Sequence, residues 1–181
     1  MILGISGIKG SGKNTVARIL EEYYGYELIS FASPLKDAVS RLYSWDRELL
    51  EGETDESRLW RENVDIYWTT KLERKVTPRI ILQEVGDIFR TVNKDFFILN
   101  LEQRLVKEKK YVITDLRGKN EFDWLKRRGG KSIKVLRDTS SIESSDTHWT
   151  EIEVHTLKSD IIIYNNSNLE DLERNVLSLN L

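Results

Sequence analysis

The chain has 181 residues, 39% of them hydrophobic, which is enough for one α/β domain with a full core. Its formal net charge of -2 gives no basic surface overall and disfavours nucleic acid as the main partner. The absence of cysteine excludes disulfides, thiol catalysis and cysteine-ligated zinc, and two histidines argue against a histidine-rich metal site. We therefore expect a small-molecule ligand.

No stretch approaches the roughly 18 to 20 apolar residues of a membrane span. The apolar N-terminus lacks a basic lead and runs directly into a glycine-rich loop, which is not the pattern of a signal peptide. We expect a cytoplasmic protein with no membrane partner. The sequence leaves open whether the chain is a monomer or a homodimer.

A glycine-rich turn between a strand and a helix is the strongest motif. Residues 1–5 are an apolar run typical of a buried parallel strand, and a helical apolar pattern follows from residue 16. The intervening sequence GISGIKGSGKNT, residues 4–15, has the spacing of a phosphate-binding loop, in which backbone N–H groups, a helix dipole and a lysine face a polyphosphate. The predicted binding residues are Gly7, Gly10, Ser11, Gly12, Lys13, Asn14 and Thr15.

The loop departs from the pattern G-x-x-x-x-G-K-[ST] at Asn14, and the hydroxyl comes one residue later, at Thr15. Nucleoside monophosphate kinases are similar to this version, G-x-x-G-x-G-K-x-T. The departure therefore indicates a subclass of nucleotide-binding protein. A glycine-rich turn without a ligand is the alternative, and the order strand, loop, lysine and helix argues against it.

The next strand-helix unit is predicted after Gly25, with a strand at residues 26–32 and Ser33 as the N-cap of the following helix. Lys36 and Asp37 then lie within one turn of a strand's C-terminal end, where open α/β sheets bind ligands. Residues 46–76 are charged and then aromatic, and they predict a helical insertion. Its Arg58 and Arg61 share a helix face, which either grips a phosphate or, as we favour, is solvated. Trp60 and Trp68 either stack on a base or, as we favour, simply pack against neighbouring side chains.

Thr77 and Pro78 open another helix, for which we expect an inward face of Ile80, Ile81, Val85, Ile88 and Phe89. Arg79, Gln83, Gly86 and Arg90 form one stripe along the same helix. Gly86 costs about 1 kcal/mol of helix stability relative to alanine, which suggests that something approaches it closely. Residues 95–105 continue as a helix with a solvated end at 107–110.

A buried strand at residues 111–115 ends in a carboxylate, Asp115, and Arg117 follows. Beside a phosphate loop, Asp115 suits Mg²⁺, directly or through water, and Arg117 suits stabilisation of transition-state charge. A capping aspartate and a surface arginine are the alternative. The remaining predictions are a helix at 120–128, strands at 132–136 and 159–164, a helix at 169–177 and a candidate lid at about 137–158 that begins with Arg137.

Together these elements predict an α/β fold with a five-stranded parallel sheet and helices on both faces. The motifs FASPLKDA at 31–38, LEG at 50–52 with ESRLWRE at 56–62, TPR at 77–79 and ITDLR at 113–117 resemble those of the phage-type deoxynucleoside monophosphate kinases. The resemblance spans essentially the whole chain. It also implies a helical substrate-binding insertion at about 46–108 within a single domain, 1–181.

The resemblance implies transfer of the γ-phosphoryl group from Mg-ATP to a deoxynucleoside monophosphate. Lys13 would neutralise the β- and γ-phosphates, and Thr15 and Asp115 would bind Mg²⁺ or its waters. Arg117 would stabilise the charge on the transferring group. Arg137 would close over ATP. For the acceptor, the resemblance implies that Arg79 and Arg90 bind the phosphate and that Gln83 and Asp37 contact the base or sugar. Lys36 and Arg61 are implied as further substrate-binding residues.

Three positions depart from the family pattern: Asn14 is commonly aspartate, Asp87 replaces an expected threonine, and Thr150 an expected serine. One alternative on the same scaffold stays open, a dephospho-coenzyme A kinase-like enzyme. An alternative from another class is a nucleotide-binding module without catalysis. Nucleic-acid binding is a third. The identity of the accepted bases stays open as well.

Overall fold

The computed structural model describes residues 1–138, 158–179 and 181. The predicted lid therefore lies almost entirely outside the described residues, together with His148 and Thr150. The chain divides into two compact units, one formed by Met1–Phe31 and Asn100–Leu181 and the other by Ala32–Leu99. The helices within the described residues are α1 (Lys13–Tyr24), α2 (Ser33–Tyr43), α3 (Asp55–Glu62), α4 (Ile66–Leu72), α5 (Pro78–Val92), α6 (Phe96–Arg104), α7 (Lys119–Arg127) and α8 (Leu169–Leu177).

The first unit contains a five-stranded sheet, and every neighbouring pair of strands is parallel. The strand order is β2-β3-β1-β4-β5, so β1 lies at the centre. The strands are β1 (Ile2–Ser6), β2 (Glu27–Ile29), β3 (Tyr111–Ile113), β4 (Lys131–Leu136) and β5 (Ile161–Tyr164). The predicted five-stranded parallel α/β fold is confirmed.

Alternation along β1 explains why helices cover both faces of this sheet. Leu3 and Ile5 are fully buried in a core that also contains residues of α1 and α8. Gly4 faces the other way, since a Cβ built on it would lie 2.7 Å from a Leu116 side-chain carbon and 2.8 Å from one of Leu125 in α7. Glycine at this central position lets α7 pack closely on the sheet.

The β2 prediction, residues 26–32, was too long at its C-terminal end. Within the described residues β2 pairs with β3 alone, and the register ends with Ile29 opposite Ile113. Beyond that point the N–H of Phe31 donates to the Asp115 side chain and not to a strand. The N-cap prediction at Ser33 was also wrong, because Ala32 is the cap residue of α2 and the Ser33 hydroxyl accepts a hydrogen bond from Arg47 at 3.2 Å.

The second unit is helical, with α2 to α5 around a core that includes Leu35, Val39 and Ile81. An aromatic cluster adds to it: Tyr43 stacks on Trp45 at 4.6 Å between ring centroids and lies 4.8 Å from Trp68. Trp45 in turn meets Trp60 edge to face at 6.0 Å. Trp60 and Trp68 therefore pack within the unit, as we favoured.

Helix α5 begins as predicted, with the Thr77 hydroxyl accepting from the N–H of Ile80 at 3.2 Å and Pro78 in the first turn. The prediction that Ile88 faces inward was wrong, because it is 60% exposed, while Leu82 is buried beside Ile81. None of the described helices is long and apolar enough to cross a bilayer.

Candidate functional site

The glycine-rich loop leaves β1 at the carboxyl end of the central strand and enters α1 at Lys13. Gly7, Gly10 and Gly12 adopt φ angles of 145°, 79° and 101°, a region that other residues rarely enter. Gly12 is the N-cap of α1 and makes no side-chain cap bond, so the first N–H groups of the helix are left to another partner. The loop thus has the backbone conformation that the sequence predicted for anion binding.

Gly7 also has no room for a side chain. A Cβ there would lie 2.5 Å from the backbone oxygen of Val135 in β4 and 2.8 Å from the Ser11 hydroxyl oxygen. Ser11 is fully buried, and its hydroxyl oxygen has no hydrogen-bond partner within the described residues. A buried hydroxyl without a partner is costly, and a phosphate oxygen would satisfy it.

The ammonium group of Lys13 folds back over the loop. It donates to the carbonyl oxygens of Gly7 and Ile8, each at 2.8 Å. A lysine held in this position carries a positive charge on a flexible stem beside the loop's backbone amides. Thr15 and Asn14 lie in the first turn of α1 and are partly buried.

Asn165 contacts the loop from the same carboxyl edge of the sheet, a contact that the sequence did not predict. It directly follows β5, and its Nδ2 donates to the Ser11 carbonyl oxygen at 2.8 Å. A Cβ on Gly12 would lie 2.3 Å from that Nδ2 atom. Its position at the carboxyl end of a parallel strand was a usable signal, because ligand-side residues concentrate there.

Asp115 and Arg117 follow β3 at the same carboxyl edge of the sheet. The Asp115 Oδ1 accepts from the backbone N–H of Phe31 at 2.9 Å, which fixes the carboxyl group. The next turn is held by Glu121, whose Oε2 accepts from the N–H groups of Arg117 and Gly118 at 2.8 and 3.0 Å. The sheet therefore brings Asp115 and Arg117 to the edge from which the glycine loop emerges.

Arg137 is exposed directly after β4. The residue that follows it, Asp138, forms a reciprocal pair with Asn166: its N–H donates to the Asn166 Oδ1 at 2.8 Å, and the Asn166 Nδ2 donates to its Oδ2 at 2.7 Å. The two turns that carry Arg137 and Asn165 are therefore bound to each other.

The second unit gathers Lys36 and Asp37 into a charged network with two residues that the sequence analysis did not single out, Arg47 and Glu51. Lys36 forms an ion pair with Glu51, and Arg47 pairs with both Asp37 and Glu51. Arg47 and Glu51 are four residues apart in the charged segment, a spacing that could have indicated their pairing but not their contact with α2.

Glu51 lies between two cations. Burial of its carboxyl group works to raise the pKa, but Lys36 and Arg47 outweigh that effect and hold the pKa below the usual value of a glutamate. Burial likewise works to lower the pKa of the Arg47 guanidinium, and Asp37 and Glu51 raise it overall. Glu51 and Arg47 therefore both favour their charged forms in the network.

Arg61 lies against the turn at Gly52. Its Nη1 donates to the Glu51 carbonyl oxygen at 3.4 Å, and a Cβ on Gly52, where φ is 70°, would lie 2.0 Å from that Nη1. The positive φ of Gly52 favours glycine, and a side chain there would also displace the guanidinium. Arg61 therefore stabilises the turn at residues 51–52, which carries the Glu51 side chain that pairs with Lys36.

The stripe along α5 is confirmed as a helical face, and both of its arginines have carboxylate neighbours. The Arg79 Nη1 lies 3.1 Å from an oxygen of Glu62, and the Arg90 Nη1 lies 3.0 Å from one of Asp87. Gln83 is partly buried between them along the helix. Each predicted acceptor-phosphate arginine thus has an anion beside it.

Gly86 is buried at the point where α2 packs on α5. A Cβ there would lie 3.3 Å from a Leu35 side-chain carbon and 3.3 Å from the Arg90 Nη1. The Arg90 guanidinium also lies over the Phe97 ring, 5.1 Å from its centroid. The close approach that Gly86 suggested is therefore made by Leu35 and Arg90.

The oxygen donors near the loop are of the kind that Mg²⁺ prefers, a threonine hydroxyl and an aspartate carboxylate. Among the described residues no group of three or more histidine, cysteine, aspartate or glutamate side chains could hold a metal ion. Thr15 and Asp115, the residues that the sequence predicts for Mg²⁺, carry one hydroxyl and one carboxylate.

Comparison with known proteins gives a family. The family described as deoxynucleotide monophosphate kinase matches residues 63–176. A protein of Acanthamoeba polyphaga mimivirus, provisionally named a deoxynucleotide monophosphate kinase, is 33% identical over 194 aligned positions that cover 98% of this chain and 95% of the relative.

Solved structures add the fold. A dephospho-CoA kinase from Campylobacter jejuni matches with a TM-score of 0.53 and 19% identity, covering 97% of this chain and 93% of that chain. A shikimate kinase from Aquifex aeolicus matches with a TM-score of 0.50 and 14% identity, covering 98% and 94%. At these identities the likeness concerns the P-loop kinase fold alone.

Proposed function

Since the chain belongs to the deoxynucleotide monophosphate kinase family, and so is a phosphotransferase, we propose that it transfers the γ-phosphoryl group of ATP to a deoxynucleoside monophosphate. The products are ADP and the deoxynucleoside diphosphate. The observation that carries the proposal is the position of Lys13, whose ammonium lies on the Gly7 and Ile8 carbonyls of a loop built from glycines with positive φ.

The chemical step needs positioning and charge more than proton transfer. An oxygen of the acceptor phosphate attacks the γ-phosphorus of ATP, and the bond from that phosphorus to the β,γ-bridging oxygen breaks, so that ADP leaves with the electron pair. The acceptor phosphate is already ionised near neutral pH, and a general base is therefore unnecessary.

On the donor side, the backbone N–H groups of the loop and α1 bind the β- and γ-phosphates, and the Lys13 ammonium exchanges its carbonyl partners for phosphate oxygens. Mg²⁺ bound with ATP, near Thr15 and Asp115, neutralises phosphate charge. Arg117 stabilises charge on the transferring group, and Arg137 closes over ATP.

On the acceptor side, Arg79 and Arg90 bind the phosphate, with Lys36 and Arg61 in support, and Gln83 and Asp37 contact the base or sugar. The carboxylates beside Arg79, Arg90 and Lys36 are compatible with phosphate binding by these cations. A dianionic phosphate is a stronger acceptor than a carboxylate and can take over or share the guanidinium hydrogen bonds.

The test is product analysis with Mg-ATP against a panel of deoxynucleoside and ribonucleoside monophosphates together with dephospho-coenzyme A. We expect ADP and a matching diphosphate with some deoxynucleotides, loss of both products in Lys13→Met, and most activity retained in Lys9→Met, a neighbouring exposed lysine of the same loop. Transfer to dephospho-coenzyme A alone would favour the related kinase class, and ATP binding without any product would favour a nucleotide-binding module.

A further inference from the structure

We propose that Asn165 is a positioning residue for the phosphate loop, whose side-chain amide sets the direction of the Ser11–Gly12 peptide and thereby the affinity for the donor's phosphates. The inference rests on the proposed function, in which that loop holds ATP. Neither the loop motif nor the resemblance assigns a role to Asn165, which lies 154 residues from Ser11 in the sequence.

The hydrogen bond to the loop fixes one peptide group. The Asn165 Nδ2 donates to the Ser11 carbonyl oxygen at 2.8 Å. A trans peptide is planar, with its C=O and N–H on opposite sides, so holding the Ser11 carbonyl toward Asn165 turns the Gly12 N–H the other way. Gly12 is the N-cap of α1, where N–H groups face a bound anion.

Asn165 is itself held firmly enough to act in this way. Its backbone N–H donates to the Leu136 carbonyl oxygen at 2.7 Å, which ties the end of β5 to the end of β4. The next residue, Asn166, closes the reciprocal pair with Asp138. The side-chain amide of Asn165 therefore belongs to a turn after β5 that three hydrogen bonds hold to the end of β4.

The fit between Asn165 and Gly12 is close as well as polar. A Cβ on Gly12 would lie 2.3 Å from the Asn165 Nδ2, and Gly12 has φ of 101°. The amide thus occupies the space that a side chain at the N-cap would fill. It both requires a glycine there and restrains the left-handed conformation that this glycine adopts.

Two substitutions separate the hydrogen bond from the packing. Asn165→Leu keeps the volume and removes the donor, whereas Asn165→Asp keeps the shape and places an anion against the Ser11 carbonyl. We expect Asn165→Leu to raise the KM for ATP about three- to tenfold, the range of one net hydrogen bond, with a KM for the acceptor within about twofold of wild type. Asn165→Asp is expected to have the larger effect.

Asn168→Ala is the control for stability. Asn168 caps α8 through a 2.9 Å hydrogen bond from the Asp171 N–H and makes no contact with the loop that the structure records. Its loss removes a helix cap and lowers stability while the contact between Asn165 and the loop stays in place. An equal rise in the KM for ATP in Asn168→Ala would overturn the proposal, because the effect would then follow stability and not loop geometry.

Binding of ATP and of inorganic tripolyphosphate, measured as Kd values on the full chain, separates a phosphate effect from a nucleoside effect. The proposal predicts that Asn165→Leu weakens both by a similar factor. Weakening of ATP alone would show that Asn165 contacts the nucleoside, and unchanged binding of both would show that the contact is incidental; either result overturns the proposal. Wild-type binding of ATP without phosphoryl transfer would contradict the proposed function and leave this test intact.

Discussion

The backbone N–H of Phe31 donates to the Oδ1 of Asp115 at 2.9 Å, so the carboxylate two residues beyond β3 is fixed by the chain that leaves β2. The carboxylate therefore has two separable properties, a structural hydrogen bond and a negative charge. A side-chain amide keeps the first and loses the second. This difference allows the charge to be tested without disturbing the sheet edge.

Asp115→Asn is expected to lower kcat by about two orders of magnitude while the free energy of unfolding stays within about 0.5 kcal/mol of wild type, because the amide oxygen still accepts from Phe31. Asp115→Ala is expected to lose the activity and also about 1 kcal/mol of stability. Steady-state kinetics and urea unfolding measure the two effects. A kcat for Asp115→Asn within threefold of wild type, about 0.7 kcal/mol, would remove Asp115 from the site.

Asp87→Thr is expected to lower the KM for the acceptor about three- to tenfold, because Arg90 loses the carboxylate that lies 3.0 Å from its Nη1. The cost in stability should be only about 0.3 to 0.5 kcal/mol, the value of one helix-surface pair. Initial rates at varied acceptor concentration measure the KM. As a control, Asp123→Thr removes a similar helix-surface partner, that of Lys119, and should leave the KM unchanged. A higher KM in Asp87→Thr would contradict the role of Arg90.

The pair formed by Lys36 and Glu51 should show strong coupling in a double-mutant cycle. Glu51→Gln leaves Lys36, whose side chain is 15% exposed, without its charged partner, and we expect a loss of about 2 kcal/mol. Adding Lys36→Met should recover part of that loss, giving a coupling energy of about 1 to 2 kcal/mol in urea unfolding.

The exposed pair of Arg74 and Glu84, with side chains 43% and 44% exposed, gives the matched comparison. Its coupling energy should stay below about 1 kcal/mol. Equal coupling in the two cycles would mean that the Lys36–Glu51 contact is an ordinary surface pair. The Lys36–Glu51 pair would then contribute no more to the stability of the second unit than an exposed pair does.

The pKa of Asp160 makes the free energy of unfolding depend on pH. Partial burial opposes ionisation, but hydrogen bonds from Lys126 and Ser132 outweigh it and hold the pKa at about 2, below the ordinary 3.8. Because the pKa is lower in the folded state, the stabilisation is present above about pH 4 and is lost as the pH falls toward 2. Asp160→Asn should therefore cost on the order of 1 kcal/mol at pH 7, a value reduced for the partial exposure of the group.

Unfolding of wild type and Asp160→Asn, compared from pH 7 down to pH 3, measures this effect. The difference in free energy of unfolding should be constant at neutral pH and shrink below about pH 4. A difference that does not change with pH would assign the stabilisation to packing and not to the charge of Asp160.

Local signals explain what the sequence predicted well. Helix α8 has the predicted bounds, since Asn168 supplies a side-chain cap and the apolar period continues without interruption. The glycine loop was predicted because its chemistry requires residues that are adjacent in the chain, and Gly7 and Gly12 indeed adopt positive φ. Both features are determined by a few consecutive residues.

Contacts between distant segments explain what was missed. Asn165 reaches the loop because β5 lies in the same sheet as β1; its position after a strand indicates the ligand side of the sheet but not its partner there. Arg47 captures the Ser33 hydroxyl that was expected to cap α2. In both cases a side chain is assigned its partner by the tertiary fold, and the local sequence leaves that partner undetermined.

Phosphoryl transfer from ATP to a deoxynucleoside monophosphate can be followed directly with ATP that carries radioactive phosphorus at the γ-position. We expect the label to appear in the β-phosphate of the deoxynucleoside diphosphate, in step with ADP, and we expect Lys13→Met to abolish transfer. Release of the label as inorganic phosphate at the wild-type rate of ADP formation, whether or not the acceptor is present, would contradict it.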